Sequence, residues 1–341
     1  MLLSPVLAFG QAPRVQFPTQ VPEGAPYTAP PAISAPPTYG APPAGGFDPY
    51  TGATATPGPV AADPFAPVPG QPTGIVGTAT RFLQDVSFDD AYLFGNNQGS
   101  NLAITEMEAS ATFAIPLFKN PFLVTPGFQA NVFNGPNTFG FGTAYPDMPP
   151  MTYGAYLDTT WKPQFNERFS ADLAIRPGVW TDFHYVTSRS FRIPARALGL
   201  YAFSPQVQVA AGVVYFDRLS VRILPAGGVI WSPNPDARFE ILFPRPKLAH
   251  RIGTIRNNNV WGYVEGEYGG NTWTIRRADG SGDVADYNDL RLSLGGEWIT
   301  GTGRRGHFEV GYVFNRRLMY RGGSATAYPH GTAMIRGGFS F

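Results

Sequence analysis

The feature that most constrains this chain is a strict period of two that recurs through its C-terminal three-quarters. Between Asp289 and Trp298, Leu290, Leu292, Leu294, Gly296 and Trp298 fall on one face, while Asp289, Arg291, Ser293, Gly295 and Glu297 fall on the other. Successive side chains of a strand point to opposite faces, so such a run is a strand with two chemically opposed sides. The next run sets Phe308, Val310, Tyr312 and Phe314 against His307, Glu309, Gly311 and Asn315. Earlier, Ala103, Met107, Ala109, Ala111 and Phe113 oppose Glu106, Glu108, Ser110 and Thr112. Nothing from Leu102 onward has a helical period.

About 12 runs of this kind can be marked, with a margin of two either way (10 to 14). They span 102–115, 121–133, 152–162, 168–182, 195–204, 206–216, 220–231, 237–254, 258–274, 287–299, 306–317 and 330–341. Pro205 and the Pro244-Arg245-Pro246 break fall within or beside these runs. A proline removes one ladder donor, so both are expected at bulges, strand ends or rim positions.

Alternation also occurs in soluble sandwiches and barrels, and the chemistry of the two faces separates the cases. Charged residues make up 14% of the chain and aromatics another 14%, whereas a soluble domain carries about 25% charged residues. The polar face is crowded with paired opposite charges and small residues, as a lumen would be. The other face mixes Leu, Val, Ala, Gly and Phe with aromatics near the run ends, the pattern of a lipid-facing band with girdles. Tyr153, Trp161, Tyr215, Trp231, Trp298 and Tyr312 are the girdle candidates. Runs of about nine or more tilted residues cross a hydrocarbon layer, whereas sandwich strands more often stop at about five or six. Closing the sheet leaves no unpaired backbone in lipid.

The expected fold is therefore all-β: a single closed antiparallel transmembrane β-barrel over residues 92–341, placed in a bacterial outer membrane. The end of the chain agrees, with Phe341, Phe339, Gly337, Ile335 and Ala333 on one face of a last strand. A terminal Phe preceded by alternating apolar residues resembles the C-terminal strand signal of outer-membrane barrels. The resemblance implies that Ile335, Phe339 and Phe341 belong to a barrel-closing strand that the insertion machinery reads.

A second resemblance covers roughly residues 92–341. It is carried by ILPAGGVIWSPNPDARFEILFPRPKLAHR within Arg222 to Arg251, by Phe191-Arg192-Ile193-Pro194 and by Tyr215-Phe216-Asp217-Arg218. These segments are similar to a group of uncharacterised outer-membrane-type barrel proteins of planctomycete-like bacteria, which also have a Pro-rich leader. That group has no assigned reaction or ligand, so the likeness implies fold and location alone.

Residues before the barrel read differently. About half of the 35 prolines precede residue 75, in a stretch too poor in large apolar groups to bury a core. Residues 13–91 are expected to be a disordered Pro-rich linker, and residues 1–12 (MLLSPVLAFGQA) the remnant of an export signal. No window of about 18 consecutive apolar residues occurs, so a membrane helix is not expected.

Few motifs carry chemistry. The chain has no cysteine and a net charge of +1, which leaves no thiol chemistry and no electrostatic case for nucleic acid. His184, His250, His307 and His330 are too scattered for a zinc site, and no Gly-x-Ser-x-Gly elbow exists, so neither enzyme activity nor a cofactor or metal is expected. The remaining candidates are the charges expected to face inward: Glu106, Glu108, Asp158, Asp172, Glu265, Glu267, Glu297 and Glu309 against Lys162, Arg168, Arg176, Arg238, Arg291 and Arg336. They fit a polar conduit with selecting charges, and equally a lumen filled by ion pairs.

Two functions follow as expectations, a passive porin-like channel or transporter for small solutes, and a structural or anchoring barrel with a plugged lumen. In the second, the Pro-rich arm tethers a periplasmic partner, and outer-membrane lipid surrounds the barrel in both. A secreted soluble β-sandwich that binds carbohydrate would need its aromatics gathered on one exposed face. The longer connections, Asn134 to Met151, Phe183 to Pro194 and Arg276 to Tyr287, are expected on one side, where specificity would reside.

Overall fold

The computed structural model describes residues 82–95, 102–116, 122–134, 148–256, 258–300, 304–322 and 326–341. The export-signal and linker readings for residues 1–12 and 13–81 lie outside them. In chain order the strands are β1 (Leu83–Leu93), β2 (Ala103–Ile115), β3 (Phe122–Asn134), β4 (Met151–Trp161), β5 (Phe169–Ile175), β6 (Gly178–Thr181), β7 (Phe191–Arg192) and β8 (Ala195–Ser204). They continue with β9 (Val207–Tyr215), β10 (Ile223–Asn234), β11 (Ala237–Phe243), β12 (Lys247–Ile255), β13 (Asn258–Arg276), β14 (Gly282–Ile299), β15 (Arg305–Tyr320) and β16 (Thr332–Ser340). The one helical element described is a 3-10 turn at Ser188–Ser190.

Pairing is antiparallel from strand to strand, and β16 returns to β1 from Ser87↔Ser340 to Leu93↔Met334, so the sheet closes on itself. β5 and β6 both lie against β4 and form one column of the wall, broken at Arg176-Pro177. β7 and β8 form the next column, broken at Ile193-Pro194. The barrel therefore has 14 strand columns. That is the upper end of the expected range, for two physical reasons. The run at 237–254 is two strands, because Pro244 and Pro246 turn the chain between β11 and β12. β1 also belongs to the barrel, so the boundary moves from 92 to Leu83. Pro205 likewise occupies a turn, between β8 and β9.

The distribution of side chains is inverted relative to a water-soluble domain. Along β14, Leu292 is 54% exposed and Leu294 61%, while Arg291 is 2% exposed and Glu297 4%. Burying apolar area stabilises a fold by about 25 cal/mol per Å² in water, and charged residues are rarely buried unpaired. A sheet that turns leucines outward and arginines inward is suited to an apolar surround. The outward face continues around the barrel through Phe308, Val310, Ile335, Phe339, Phe88 and Phe128, all exposed. Tyr215, Trp231 and Trp298 are also exposed and stand at or near strand ends, while Tyr312 lies level with the start of β16. Tyr153 and Trp161 are half-buried on the same outer face. Ile335, Phe339 and Phe341 all point outward on or just past β16.

The two rims differ. The rim that holds the start of β1 and the end of β16 also holds the two-residue turns at Pro205-Gln206 and Pro235-Asp236. The opposite rim takes the connections at 134–151, 182–190, 216–222 and 277–281. Most of the first lies outside the described residues. The stretch from Arg276 to Tyr287, expected to be a long loop, is mostly strand: β13 and β14 run past their neighbours and meet in a short turn.

Candidate functional site: the lumen and an infolded tongue

β13 is paired to β12 only as far as Glu265↔Lys247. β15 is paired to β16 only as far as Val313↔Thr332. Above those points the upper parts of β13, β14 and β15 form a three-stranded tongue whose edges have left the wall. The tongue bends at one level, where three irregular positions line up across its strands. Gly270 on β13 has φ +95, the register of β14 against β15 shifts between Asn288 and Leu290, and Asn315 on β15 has φ +52. Gly270 faces Asn288 in the ladder, and bulges of this kind increase local bend and twist. Only glycine suits Gly270, because a Cβ there would collide with the Tyr287 carbonyl oxygen. The bulge also corrects one expectation: Asn315 is exposed, and Arg316 takes the buried place.

The bend carries the tongue into the mouth. Fourteen strands about 4.8 Å apart and tilted by about 40° would, if circular, put walls six columns apart about 27 Å from each other. β3 and β13 are six columns apart, yet Phe133 and Trp273 meet edge to face with ring centroids 5.6 Å apart. Beside them Asn271 donates to Gln129 Oε1 at 3.5 Å, and Trp180 Nε1 donates to the same oxygen at 3.2 Å. Thr274 of β13 also pairs with Thr181 of β6, six columns away the other way around the wall, so the tongue itself has crossed the opening. Around it an apolar cluster including Leu93, Ile104, Phe133, Met148, Ile275 and Leu318 fills the mouth from within.

On its β15 side the tongue is held by Leu318, which exchanges two backbone hydrogen bonds with Ala327 at 2.9 Å, and by Arg316, which donates to His330 O and Leu102 O. On its other side it rests on two segments of the long-connection rim. At 181–190, Thr181 bridges Thr274 in parallel register, Asp182 N donates to Thr274 O at 3.1 Å, and Arg276 N donates to Asp182 Oδ2 at 2.7 Å. At 216–222, Arg218 Nη1 donates to Gly269 O at 2.8 Å and Ser220 N to Asp286 Oδ2 at 3.0 Å. These contacts supply the strand-edge partners that β12 no longer gives.

Below the tongue the interior is a network of buried charges. Arg291 lies between Glu106 and Asp289, with N···O separations of 2.7 and 2.9 Å. Arg336 lies between Glu309 at 2.6 Å and Glu267 at 2.9 Å. In both, one guanidinium serves two carboxylates. Arg176 pairs with Asp158 at 2.9 Å, Arg196 with Asp172 at 2.8 Å and Lys247 with Glu297 at 3.4 Å. Arg245 pairs with Glu265, and Glu108 accepts from Gln129 at 2.8 Å and from Tyr156. Single charges are costly in such surroundings, and partners with near-ideal geometry offset much of that cost.

The structure thus brings most of the expected inward charges into one connected interior. Arg238 lies toward the terminal rim, half-buried on Glu240 at 2.7 Å. Arg168 does not join them: it is exposed in the turn between β4 and β5, where its backbone N–H donates to Asn166 Oδ1 at 2.9 Å. The alternation of β5 begins one residue later, so the period that placed Arg168 inward does not extend to it. Sequence reasoning missed Asp85 and Asp89, both buried on β1. Their signal was present in the alternation of Val86, Phe88 and Tyr92 against Asp85, Ser87, Asp89 and Ala91, but Asp90 interrupts the apolar face. Asp90 on β1 and His250 on β12 are the carboxylate and imidazole found on the outward face among the described strand residues.

No protein-family model matches this chain, and no curated protein matches it. Among solved structures it is similar to the KdgM porin, at 9% identity over 75% of this chain and 98% of that one, with a TM-score of 0.35. It is similar also to the NanC porin, at 8% identity over 75% and 98% of the two chains, with a TM-score of 0.36. Pseudomonas aeruginosa OpdK with vanillate matches at 7% identity over 75% and 97%, with a TM-score of 0.29. The likeness to barrels of planctomycete-like bacteria rests on the segments quoted from the sequence alone.

Proposed function

We propose that the chain is a bacterial outer-membrane barrel that serves as a passive porin-like conduit for small solutes. The observation that carries this reading is the inversion of the two faces, with leucines outward and a continuous charged interior inside one closed wall. An apolar exterior seats the barrel in lipid, and a polar interior offers hydrated solutes groups that replace their lost water contacts. The wall formed by β1 and β2 carries Asp85, Asp89, Glu106 and Glu108 inward and has no basic residue on either strand. Planar-bilayer recording of purified, refolded protein tests the proposal: discrete conductance steps support it, and folded, inserted protein that gives no steps above background removes it.

A second reading is favoured by the tongue across the mouth, which suits a structural or anchoring barrel tethered through its Pro-rich arm to a periplasmic partner. Deleting residues 13–74 tests it. Unchanged envelope integrity and unchanged co-purifying proteins would remove that reading.

A further inference from the structure

We infer that the tongue is a movable gate, hinged on the crease through Gly270, Asp289 and Asn315 and seated against the β3–β4 wall. The inference rests on the conduit reading above and assigns the element that sets whether the conduit is open. Three independent features support it. The first is the crease itself, where the ladder is irregular in all three tongue strands at one height. A regular three-stranded ribbon resists bending along such a line, whereas bulged and left-handed positions let backbone dihedrals absorb it.

The second is the release of both edges. β13 is held by β12 as far as Glu265 and β15 by β16 as far as Val313, and at the crease and above it neither partner continues. The contacts that replace them, from 181–190, 216–222, Arg192 and Ala327, are hydrogen bonds made from outside the regular ladders of the wall, so parting them leaves the closed wall of 14 columns paired. The pairing that closes the barrel, β1 to β16, involves none of them.

The third is the chemistry of the seam. Asn131 sits on β3 between Gln129 and Phe133, the two residues that touch the tongue, and both of its side-chain polar atoms are buried without a hydrogen-bond partner. Its cross-strand neighbour Thr152 has an unpartnered hydroxyl, and across the seam the Trp273 indole N–H is unpartnered as well. Buried polar groups without partners weaken the packed arrangement, and each gains a partner once water enters. The seam is therefore built of groups that favour a wetted opening over a permanent seal. Opening moves Trp273 and Asn271 off the wall and leaves Gln129, Asn131 and Thr152 lining a polar passage.

The test uses the whole chain, which has no native cysteine to interfere. In the Phe133→Cys/Trp273→Cys variant, a short bis-maleimide with a reducible centre ties the tongue to the wall. Single-channel recording is made before tying, after tying and after reduction. The gate predicts loss of the larger steps on tying and their return on reduction. A second variant replaces residues 271–287 with an Asn-Gly turn, and heat-modifiability on a gel confirms that its barrel is closed. It is expected to show severalfold larger and persistent steps. Conductance unchanged by tying, with the truncated barrel conducting, overturns the gate and leaves the conduit standing. A folded truncated barrel that stays silent overturns both.

Discussion

Arg291 on β14 meets Glu106 on β2 in a two-pronged ion pair, Nη1 to Oε2 at 2.7 Å and Nη2 to Oε1 at 2.8 Å, although three strands of the wall stand between them. The pair lies just below the crease and ties the root of the tongue across the lumen to a wall strand four columns away. Removing one partner of a buried pair leaves the other uncompensated and costs about 3–5 kcal/mol. Arg291→Met and Glu106→Met should each lower stability by that order in urea titrations of detergent-folded protein. The double variant should lose less than the sum of the two, and strict additivity would deny the coupling.

Gly270→Val places a branched side chain at φ +95, against the Tyr287 carbonyl. Strain of this kind costs about 1–3 kcal/mol. Its effect should be local, because the β13–β14 turn is not part of the closed wall. Limited trypsin digestion is expected to cut faster after Arg276 or Arg277 while the barrel remains heat-modifiable, and equal cutting rates would count against the crease.

How far the sequence disclosed this structure depended on which neighbours set each residue's environment. Where one wall strand lies between two others, as with Leu292, Ser293 and Leu294, the period of two fixes inside and outside without further knowledge. It failed at Arg168 and Asn315, where a turn and a bulge reset the phase. β1 escaped because Asp90 stands on its apolar side and the Pro-rich stretch adjoins it. The tongue was illegible for a different reason. Its bend is set by where β12 and β16 stop, which depends on strand lengths around the whole barrel, and runs such as Asp283–Asp289 are buried on both faces and carry no clean alternation.

Asp90 offers a test of the outward face at a charged position. A carboxylate facing lipid is destabilising, less so than a cation, whose cost at mid-bilayer is about 2–4 kcal/mol. Asp90→Leu should raise the urea midpoint of folding in liposomes, whereas Leu294→Arg should lower it by roughly that amount. Opposite signs in the two would place these residues elsewhere.

At the tip of the tongue, Asp279 accepts from Ser281 Oγ at 2.6 Å and from Ser281 N at 2.8 Å. The Ser281 hydroxyl and then its backbone N–H hold the Asp279 carboxyl below its ordinary range. A depressed carboxylate favours the folded turn above the unfolded pKa, and that contribution is lost as pH falls through the folded one. Ser281→Ala should move the Asp279 titration midpoint upward in a carboxyl NMR titration, and an unmoved midpoint would contradict the turn geometry.

The most direct measurement of the central claim, that these strands face lipid outside and a polar lumen inside, is spin-label accessibility at single cysteines in liposomes. Labels at Leu292, Ser293, Leu294 and Gly295 sample both faces of β14 in turn. Collisions with apolar oxygen are expected to be frequent at 292 and 294 and rare at 293 and 295. High accessibility to a water-soluble nickel chelate at 292 and 294 would contradict it.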